Sequence, residues 1–379
     1  KRPSILFTQF NIMEAPDAKR QKSVGAEEEP YTPKNVLVTG GAGFIASHFV
    51  ILMVKKYPDV NIVNFDKLDY CSCLANLEEI KDAPNYKFVK GDICSPDLVN
   101  HILATEKIDT IVHFAAQTHV DNSFGNSFAF SRNNIYGTHV LLESAKQANI
   151  KRFVHCSTDE VYGEGEIDGA PMGEEHVLEP TNPYAATKAA AEFLVKSYNR
   201  SFNLPVIITR GNNVYGPHQY PEKLIPKFIN QLRTGRSLTV HGNGENMRNF
   251  LYVEDVARAF ETVLRRAEVG KVYNIGGSNE LTVMQVTDRL LEVMGKTAEK
   301  DRLVTFVPDR AFNDLRYTVR ADRLHELGWE EKMPFDEGLR RTVEWYTAHS
   351  GRYGNIAAAL EAHPLAGSDA LESGKGDKW

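Results

Sequence analysis

From residue 35 to about residue 158, the chain alternates between short apolar runs and longer amphipathic segments. The apolar runs predict buried strands at 35–40, 60–66, 86–92, 109–115 and 152–158, and one more strand with its exit loop at 204–217. The longer segments, such as 137–149, have the spacing of helices. Repeated strand–helix alternation is typical of a parallel sheet covered by helices on both faces. We therefore expect an α/β fold with a Rossmann-type doubly wound parallel sheet.

The pattern becomes less regular after residue 217. Helices are predicted at 224–235, 251–267 and 283–295, and the loops and short strands between them indicate a smaller, mixed C-terminal lobe that would bind substrate. Residues 1–33 are charged and lack an apolar period, and the last residues are rich in Gly, Ala and Ser. The predicted parts are a flexible N-terminal tail (1–33), a Rossmann domain (34–212, with a return segment near 250–276), a substrate-binding lobe (213–355) and a C-terminal tail (356–379).

Composition excludes several classes of function. Hydrophobic residues make up 42% of the 379 residues, which is enough for a large core. The net charge of −6 is spread along the chain without a basic stripe, so we expect no nucleic-acid partner. No apolar run approaches the roughly 18 residues that cross a membrane. We therefore expect a protein that acts on a small molecule, without a membrane partner.

The cysteines and the N-terminal residues bear on location. The chain has four cysteines, too few and too closely paired at Cys71 and Cys73 for a disulfide framework. No paired histidine or second cysteine pair accompanies them, so we expect no metal site. The first residues show no signal-peptide pattern. These observations predict a cytoplasmic protein with reduced thiols.

Three glycines directly follow the first predicted strand. Gly40, Gly41 and Gly43 lie in the sequence VTGGAGFIASH, and a helix is predicted to begin at Phe44. A turn without Cβ atoms lets the backbone approach a pyrophosphate, and the start of a helix presents free N–H groups to it. Asp66 ends the second strand, where a carboxylate can bind ribose hydroxyls and repel a 2′-phosphate. This arrangement favours NAD over NADP; the alternative is an ordinary strand–helix turn with a solvated aspartate.

A tyrosine and a lysine lie four residues apart on a predicted helix. Tyr184 and Lys188 follow Asn182-Pro183, and their spacing places them on one face of that helix. A lysine ammonium beside a phenol would lower the pKa of the tyrosine, which could then act as a base. The same spacing is common on solvated helices, where it has no function. Its position behind a nucleotide-binding half, with polar Ser157 and Thr158 at a strand end, favours catalysis.

These motifs resemble those of the extended short-chain dehydrogenase/reductase family. The matching residues are the glycine loop Thr39 to Ile45, Asp66, the pair Ser157/Thr158 and the pair Tyr184/Lys188, and the resemblance covers residues 34 to about 350. It implies bound NAD. The implied cofactor residues are Gly40, Gly43, Phe44, Ile45, Asp66, Lys67, Asp92, Ile93, Ala115, Ala116, Tyr184 and Lys188.

Two adjacent acids at the end of the fifth strand point to one reaction class. The sequence STDEVYG is similar to the motif of nucleotide-diphosphoglucose 4,6-dehydratases. That resemblance implies that Thr158 orients the 4-oxygen of the sugar, Asp159 is the general acid and Glu160 is the general base. Elimination of water needs both functions, and neighbouring carboxyls have separated pKa values. The alternative is that both acids cap the next turn or pair with a surface lysine.

The resemblance also implies contacts to a nucleotide sugar. The segment after the fourth strand would reach the hexose, and later segments would bind the diphosphate, for which arginines provide bidentate contacts. The implied substrate residues are Thr118, His119, Asn213, Lys223, Lys227, Arg248, Asn313 and Arg316. A core histidine is the alternative for His119, and a solvated helix start is the alternative for the two lysines.

The remaining expectations concern the nucleotide of the substrate and the oligomeric state of the protein. The segments 120–130 and 210–217 are similar to UDP-glucose 4,6-dehydratases and to the dehydratase part of UDP-rhamnose synthases, which act in rhamnose biosynthesis. We therefore expect UDP-glucose as substrate, with dTDP-glucose as the alternative and a 4-epimerase as a further one. No second reductase region follows residue 355, so we expect a separate enzyme to complete a deoxysugar. The family resemblance further implies a homodimer formed by helices 137–149 and 184–198.

Overall fold

A computed structural model describes residues 29–166, 169–309 and 314–361. The strands are β1 (Asn35–Thr39), β2 (Asn61–Asp66), β3 (Tyr86–Lys90), β4 (Thr110–His113), β5 (Arg152–Thr158), β6 (Val206–Gly211), β7 (Asn213–Tyr215), β8 (Leu238–His241), β9 (Met247–Tyr252), β10 (Val272–Ile275), β11 (Glu280–Thr282), β12 (Val304–Val307) and β13 (Arg316–Tyr317). The α-helices are α1 (Phe44–Lys56), α2 (Pro96–Thr105), α3 (Val120–Gly125), α4 (Ser127–Phe130), α5 (Gly137–Gln147), α6 (Pro183–Phe202), α7 (Leu224–Arg233), α8 (Val253–Arg266), α9 (Val283–Val293), α10 (Lys300–Leu303), α11 (Asp322–Glu326) and α12 (Phe335–Ala348).

Seven strands form one parallel sheet in the order β10-β6-β5-β4-β1-β2-β3. The strand order reverses between β1 and β4, and this reversal creates a crevice at the carboxyl edge of the sheet. The predicted Rossmann-type doubly wound sheet is therefore confirmed.

Side chains of the strands alternate between two hydrophobic cores. Val36 and Val38 of β1 face the core that contains Phe49 of α1 and Phe260 of α8. Leu37, between them, faces the core formed with α2, α5 and α6. Because both faces of the sheet are covered, its central strands are apolar throughout, which is why they appear in the sequence as continuous runs.

Two predicted strands are shorter than expected, and both end at the site described below. The predicted strand 109–115 ends at His113, after which the chain leaves the sheet. The predicted strand 204–217 divides at Asn212 into β6 and β7. The division occurs because β7 leaves the main sheet and pairs with β9, which begins the second lobe.

The second lobe is built around β9. This strand pairs with β7, β11 and β13, while β8 and β12 form a separate parallel pair. Helices α7, α9 and α12 cover these strands and bury a third core that includes Phe228, Leu290, Leu339 and Phe335. Between its lobe segments the chain returns to the first sheet, where α8 packs near α1 and β10 pairs with β6.

Residues near both predicted tails belong to the packed structure. The N–H of Tyr31 donates to the Arg265 carbonyl (2.7 Å), and the Arg152 guanidinium stacks on its ring, so Tyr31, inside the predicted N-terminal tail, packs against the first lobe. At the other end, Leu360 is buried and its carbonyl accepts from Gln231 Nε2 (2.9 Å), so residues 356–361 pack on α7. Within the described ranges, no helix combines the length and apolar character needed to span a bilayer.

Candidate active site

A cavity of about 290 Å³ lies at the carboxyl edge of the first sheet, where β1, β2, β4, β5 and β6 end. Its wall includes the predicted cofactor residues Gly40, Gly43, Phe44, Ile45, Asp66, Lys67, Ile93, Ala115, Ala116, Tyr184 and Lys188. It also includes Thr118, Thr158, Asp159, Glu160, Asn213 and Lys223. The fold thus brings together residues that are distant along the chain.

The glycine turn packs so tightly that side chains would not fit. Gly40 has φ +72°, and a Cβ added there would lie 2.8 Å from the Cα of Ala115. At Gly41 an added Cβ would lie 2.2 Å from Oδ1 of Asn64. Helix α1 begins directly afterwards, and Gly43 is its N-terminal cap residue without a side-chain hydrogen bond. Because its glycines have no side chains, the turn places no Cβ atoms of these residues in front of α1, as expected for a turn that binds phosphate.

Asp66 ends β2 with its carboxylate already held in place. Oδ2 accepts from the backbone N–H of Ala42 (3.0 Å), and Oδ1 accepts from that of Leu68 (2.7 Å). Burial raises the pKa of Asp66, while these two hydrogen bonds oppose the increase. The carboxylate links the glycine turn to the loop after β2, at the position predicted to bind ribose hydroxyls.

Asp92 does not join this arrangement. Its neighbours Gly91 and Ile93 line the cavity, but Asp92 is not among the described lining residues. Its Oδ1 accepts from the N–H of Cys94 (2.8 Å), so the carboxylate caps a local turn. The role of Asp92 as a cofactor residue therefore stays a prediction.

The two acids predicted to catalyse water loss lie on a single turn of 3-10 helix, Asp159–Tyr162, directly after β5. Thr158 accepts from the N–H of Glu160 (3.3 Å) and donates to Asp159 Oδ1 (3.2 Å). Burial, followed by the neighbouring charge of Glu160, raises the pKa of Asp159 to about 7. Burial also raises the pKa of Glu160, which the charges of Lys223 and Arg248 oppose. Asp159 is thus suited to hold a proton near neutral pH.

Two asparagines that were not predicted as site residues orient these acids. Asn212 Nδ2 donates to Asp159 Oδ2 (2.7 Å) from the break between β6 and β7. Asn182 Nδ2 donates to Glu160 Oε2 (3.1 Å), while its Oδ1 caps helix α6 at the N–H of Ala185 (2.9 Å). Each acid therefore accepts a hydrogen bond from a different element. The motif gave no signal for these contacts, because they depend on the tertiary fold.

Helix α6 carries Tyr184 and Lys188 into the cavity wall, as their spacing predicts, and burial changes the pKa of both side chains. Burial, followed by the charge of Glu160, raises the pKa of Tyr184 well above its usual value. Lys188 Nζ donates to the Cys156 carbonyl (2.5 Å), and burial lowers its pKa. In the chain by itself the pKa of Tyr184 thus lies above its usual value, and a lowering of this pKa by Lys188 stays a prediction. A bound positive charge would be needed to reverse this direction.

Asn134 joins the loop after β4 to helix α6 by hydrogen bonds. Its Oδ1 accepts from the N–H of Gln117 (2.8 Å), and its Nδ2 donates to the Gln117 carbonyl (3.0 Å) and to Thr187 Oγ1 (2.9 Å). Thr187 in turn donates to the Tyr184 carbonyl (2.8 Å). The loop that presents Ala115, Ala116 and Thr118 is consequently fixed relative to Tyr184.

The two predicted diphosphate lysines have different surroundings. Lys223 lies in the cavity wall, and its Nζ donates to the Thr118 carbonyl (3.0 Å). Lys227, one turn further along α7, donates to the carbonyl of Glu361 instead. Lys227 is buried and does not line the described cavity, because residues 356–361 cover that side of α7. Only Lys223 is therefore placed for contact with a ligand in this structure.

The predicted arginines bind protein groups near the acids. Arg248 donates to the carbonyls of Met247 (2.7 Å) and Asp314 (2.8 Å) and stacks on the ring of Tyr317. Arg316 forms a two-point ion pair with Glu280. Neither belongs to the described cavity wall, so their roles in binding substrate stay predictions. Asn313 lies outside the described residues.

His119 lies inside the protein rather than in the cavity wall. The residue is buried, and its Nε2 is 3.9 Å from Asp121 Oδ2. The neighbouring Thr118 does line the cavity. The structure thus favours the core position that the sequence left open as an alternative for His119.

The geometry of this cavity can be compared with known proteins. The family model described as GDP-mannose 4,6 dehydratase matches residues 37–342. The chain belongs to this dehydratase family. The resemblance to nucleotide-sugar 4,6-dehydratases that the glycine loop and the STDEVYG motif indicated is thereby confirmed.

Individual relatives of this dehydratase-family chain fall into two nucleotide classes. It is 55% identical over 340 residues to the trifunctional UDP-glucose 4,6-dehydratase/UDP-4-keto-6-deoxy-D-glucose 3,5-epimerase/UDP-4-keto-L-rhamnose-reductase RHM2 of Arabidopsis thaliana, covering 89% of this chain and 51% of the relative. It is 48% identical over 351 residues to the dTDP-D-glucose 4,6-dehydratase of Homo sapiens, covering 90% of this chain and all of the relative. The chain thus spans about half the length of the plant relatives that it matches.

A solved structure has the same architecture. The dTDP-glucose 4,6-dehydratase DesIV of Streptomyces venezuelae, crystallised with NAD and TYD, superimposes with a TM-score of 0.80 at 42% identity. The match covers 84% of this chain and 98% of that structure.

Several wall residues of this dehydratase-family chain were not predicted from sequence. They are Gln117, Asn133, Asn212, Tyr220 and Glu222. Gln117 Nε2 donates to Asp69 Oδ2 (2.6 Å), and Glu222 accepts from the Tyr70 hydroxyl (3.0 Å), so these contacts join the loop after β2 to two other loops. Each has a polar group on its side chain, and nothing in the local pattern distinguishes these residues from solvated ones.

Proposed function

We propose that the protein catalyses the NAD-dependent dehydration of UDP-glucose to UDP-4-keto-6-deoxyglucose, a hydro-lyase reaction. The observation that carries this proposal is the Asp159–Glu160 pair on the turn after β5, with Asp159 buried and Glu160 half-buried, beside Tyr184 on α6. Oxidation and re-reduction at carbon 4 alone would need only the tyrosine and a hydroxyl donor. A reaction that also removes water needs a further acid and a further base, and Asp159 and Glu160 fit these two roles.

The residues at the carboxyl edge of the sheet fit NAD. The glycine turn precedes the start of α1 and packs against the backbone of Ala115, where a Cβ at Gly40 would not fit, and the turn's Ala42 N–H donates to the Asp66 carboxylate. The hydroxyl of Ser157 lies in the cavity wall with no hydrogen-bond partner among the described residues. Solved relatives crystallised with NAD agree with this choice of cofactor. When bound, NAD accepts a hydride from carbon 4 and returns it to carbon 6.

The side chains of the protein would move three protons. Tyr184 takes the proton of the 4-hydroxyl, while Thr158 orients the 4-oxygen and Lys188 binds a ribose hydroxyl. The resulting ketone acidifies the proton on carbon 5, which Glu160 removes. Asp159, protonated near neutral pH because burial raises its pKa, donates to the departing 6-hydroxyl. Glu160 then protonates carbon 5 with a proton that has exchanged with solvent. Tyr184 now holds the proton of the 4-hydroxyl and Asp159 has lost its own, so Tyr184 must release a proton and Asp159 must regain one before the next cycle.

Contacts to the nucleotide part are proposed from position. Thr118, Asn213 and Lys223 line the cavity and can contact the hexose and the diphosphate. The charges of Lys223 and Arg248 already act on Glu160, so an anionic substrate would change the balance of charge around the acids. UDP-glucose is preferred because the plant relatives are more similar, and dTDP-glucose is the alternative.

One experiment tests both the reaction and the nucleotide. The purified protein is incubated with UDP-glucose and dTDP-glucose separately, and kcat/KM and product mass are measured for each. The proposal predicts products lighter than the substrate by one water and a larger kcat/KM with UDP-glucose. A larger value with dTDP-glucose would reverse the choice of nucleotide, and products of unchanged mass would replace dehydration by epimerisation.

We also propose a homodimer in the cytoplasm. Helix α6 exposes Phe193 (59% exposed) and Phe202 (51% exposed), and Tyr136 and Phe128 are exposed close to α5. Large exposed aromatic side chains on adjacent helices are typical of an interface between copies of a chain. The cytoplasmic location is supported by four cysteines that are all free.

A further inference from the structure

A buried ion pair lies behind the proposed catalytic groups. Arg210 of β6 is 1% exposed and Glu192 of α6 is fully buried. Three hydrogen bonds join them, from Nε to Oε1 (3.0 Å) and to Oε2 (3.2 Å), and from Nη2 to Oε2 (2.6 Å). Glu192 lies one helical turn after Lys188 and two turns after Tyr184, on the same face of α6. The ion pair therefore attaches the face of α6 that carries Tyr184 to strand β6.

The other side of the guanidinium binds the turn that carries the acids. Arg210 Nη1 donates to the hydroxyl of Tyr162 (2.7 Å) and to the carbonyl of Glu174 (3.1 Å). The guanidinium also lies 4.6 Å from the centroid of the Tyr162 ring. Tyr162 is the last residue of the turn Asp159–Tyr162. One side chain thus contacts both elements that hold the proposed catalytic residues.

The hydroxyl of Tyr162 extends the same network into the sheet. It accepts from Arg210 and donates to Asn274 Oδ1 of β10 (2.8 Å). Burial raises the pKa of Tyr162 to about 12, so the phenol stays neutral and keeps its donor role. The hydroxyl therefore always accepts from Arg210 and donates to Asn274. Together with the Arg210–Glu192 ion pair, these contacts join α6, β6, β10 and the turn Asp159–Tyr162.

A fully buried ion pair contributes little to stability compared with apolar residues of the same volume, because desolvation offsets the attraction. Its better-attested use is to fix one arrangement of the elements that it joins. A lysine at position 210 could keep the charge but not the planar fork that reaches Glu192 and Tyr162 together. The chemistry of this position therefore selects arginine.

We propose that Arg210 is a positioning residue that fixes the turn bearing Asp159 and Glu160 relative to helix α6 bearing Tyr184 and Lys188. The inference rests on the proposed function, in which Tyr184 acts at carbon 4 and the acids act at the adjacent carbons of the same hexose. The side chains on the turn and on α6 must then be correctly placed relative to one another around the hexose. A displacement of a catalytic group by about 1 Å can lower the catalytic rate by roughly 100-fold.

The test compares Arg210→Lys with Lys196→Met. Lys196 is a matched control, because it contacts the same Glu192 (3.5 Å) from the solvent side and does not contact the turn. We expect Arg210→Lys to lower kcat roughly 10- to 100-fold with little change in KM. Reactions quenched with acid should contain more of the keto sugar nucleotide that has lost two hydrogens but no water. Lys196→Met should retain the wild-type kcat and intermediate level.

Tyr162→Phe is the second variant, and it decides the question if Arg210→Lys does not fold. It keeps the ring under the guanidinium and removes only the hydroxyl that joins Arg210 to Asn274. We expect a smaller decrease in kcat, roughly 3- to 10-fold. The same intermediate should accumulate, namely the 4-keto sugar nucleotide that still carries its 6-hydroxyl. Thermal unfolding of each variant is followed in parallel.

Two results would overturn the inference. One is a lower melting temperature with unchanged kcat well below that temperature, which would make the network purely structural. The other is an equal loss of oxidation and of water elimination without accumulated ketone. Wild-type protein is assayed first with both sugar nucleotides, so a failure of the proposed function is detected before the variants are compared.

Discussion

At the scale of single residues, the behaviour of Asp159 follows from where its side chain lies. The carboxyl is buried, its neighbour is Glu160, and it accepts hydrogen bonds from Asn212 and Thr158. The first two features raise its pKa and the third lowers it, which leaves the value at about 7. A carboxyl with this pKa is half protonated at neutral pH, as a general acid should be.

This assignment predicts the pH dependence of kcat. Because Asp159 must donate a proton, kcat should decrease as the pH rises through about 7. Asn212→Ala removes a hydrogen bond that favours the carboxylate, so the decrease should move to higher pH. A pH profile of each enzyme checks this expectation. A shift to lower pH in Asn212→Ala would contradict the role of Asp159 as the acid.

The same raised pKa predicts a cost in stability. A carboxyl that binds its proton more tightly in the folded state stabilises the fold at low pH, and this contribution is lost as the pH rises from about 4 towards 7. Asp159→Asn should therefore raise the free energy of unfolding more at pH 8 than at pH 5, by on the order of 2 kcal/mol. Denaturant unfolding at both pH values measures the difference. An equal effect at both pH values would mean that Asp159 is not buried as described.

At the scale of elements, the sequence was informative wherever a pattern is local. The strands of the first sheet and the helices α1, α6, α7 and α9 were located from apolar periodicity and from glycine or proline signals. The break at Asn212 and the π-helical turn Ser131–Tyr136 were not predicted, because side chains from other elements stabilise them. The contacts that complete the site, such as Asn134 with Gln117, arise only in the folded chain.

The glycine turn gives a prediction at this scale. Gly40 combines a positive φ with a backbone neighbour 2.8 Å from the site of an added Cβ. Gly40→Ala should therefore lower the free energy of unfolding by about 2 kcal/mol or more and weaken retention of NAD. Gly351→Ala is the control, because nothing lies within 4 Å of its added Cβ. Equal stability of the two variants would contradict the tight packing of the turn against Ala115.

At the scale of the whole molecule, the sequence placed the site at the correct edge of the correct sheet but not all of its periphery. Arg316 pairs with Glu280, and Lys227 is covered by residues 356–361. Such pairings between elements of the second lobe are set by tertiary packing, so charge and spacing alone could not reveal them. Residues within one motif, such as Thr158, Asp159 and Glu160, were placed correctly because the local backbone fixes their relations.

The proposed homodimer gives a prediction for the whole molecule. Phe193→Asp combined with Phe202→Asp should produce a monomer, because both are large apolar side chains exposed on α6. Phe306→Asp is the matched control, since Phe306 is equally exposed (56%) on β12 of the second lobe. Light scattering coupled to size exclusion measures the mass of each variant. A wild-type monomer, or a dimer that persists in the double variant, would contradict the proposed interface.

The central claim is that the adjacent acids Asp159 and Glu160 together remove water from a hexose. The most direct measurement is the mass of the product formed in D₂O by the wild-type protein and by the double variant Asp159→Asn, Glu160→Gln. The account predicts that the wild-type product has lost one water and gained one deuterium at carbon 5, whereas the double variant forms almost none of it. Formation of the same product by the double variant at the wild-type rate would contradict the account.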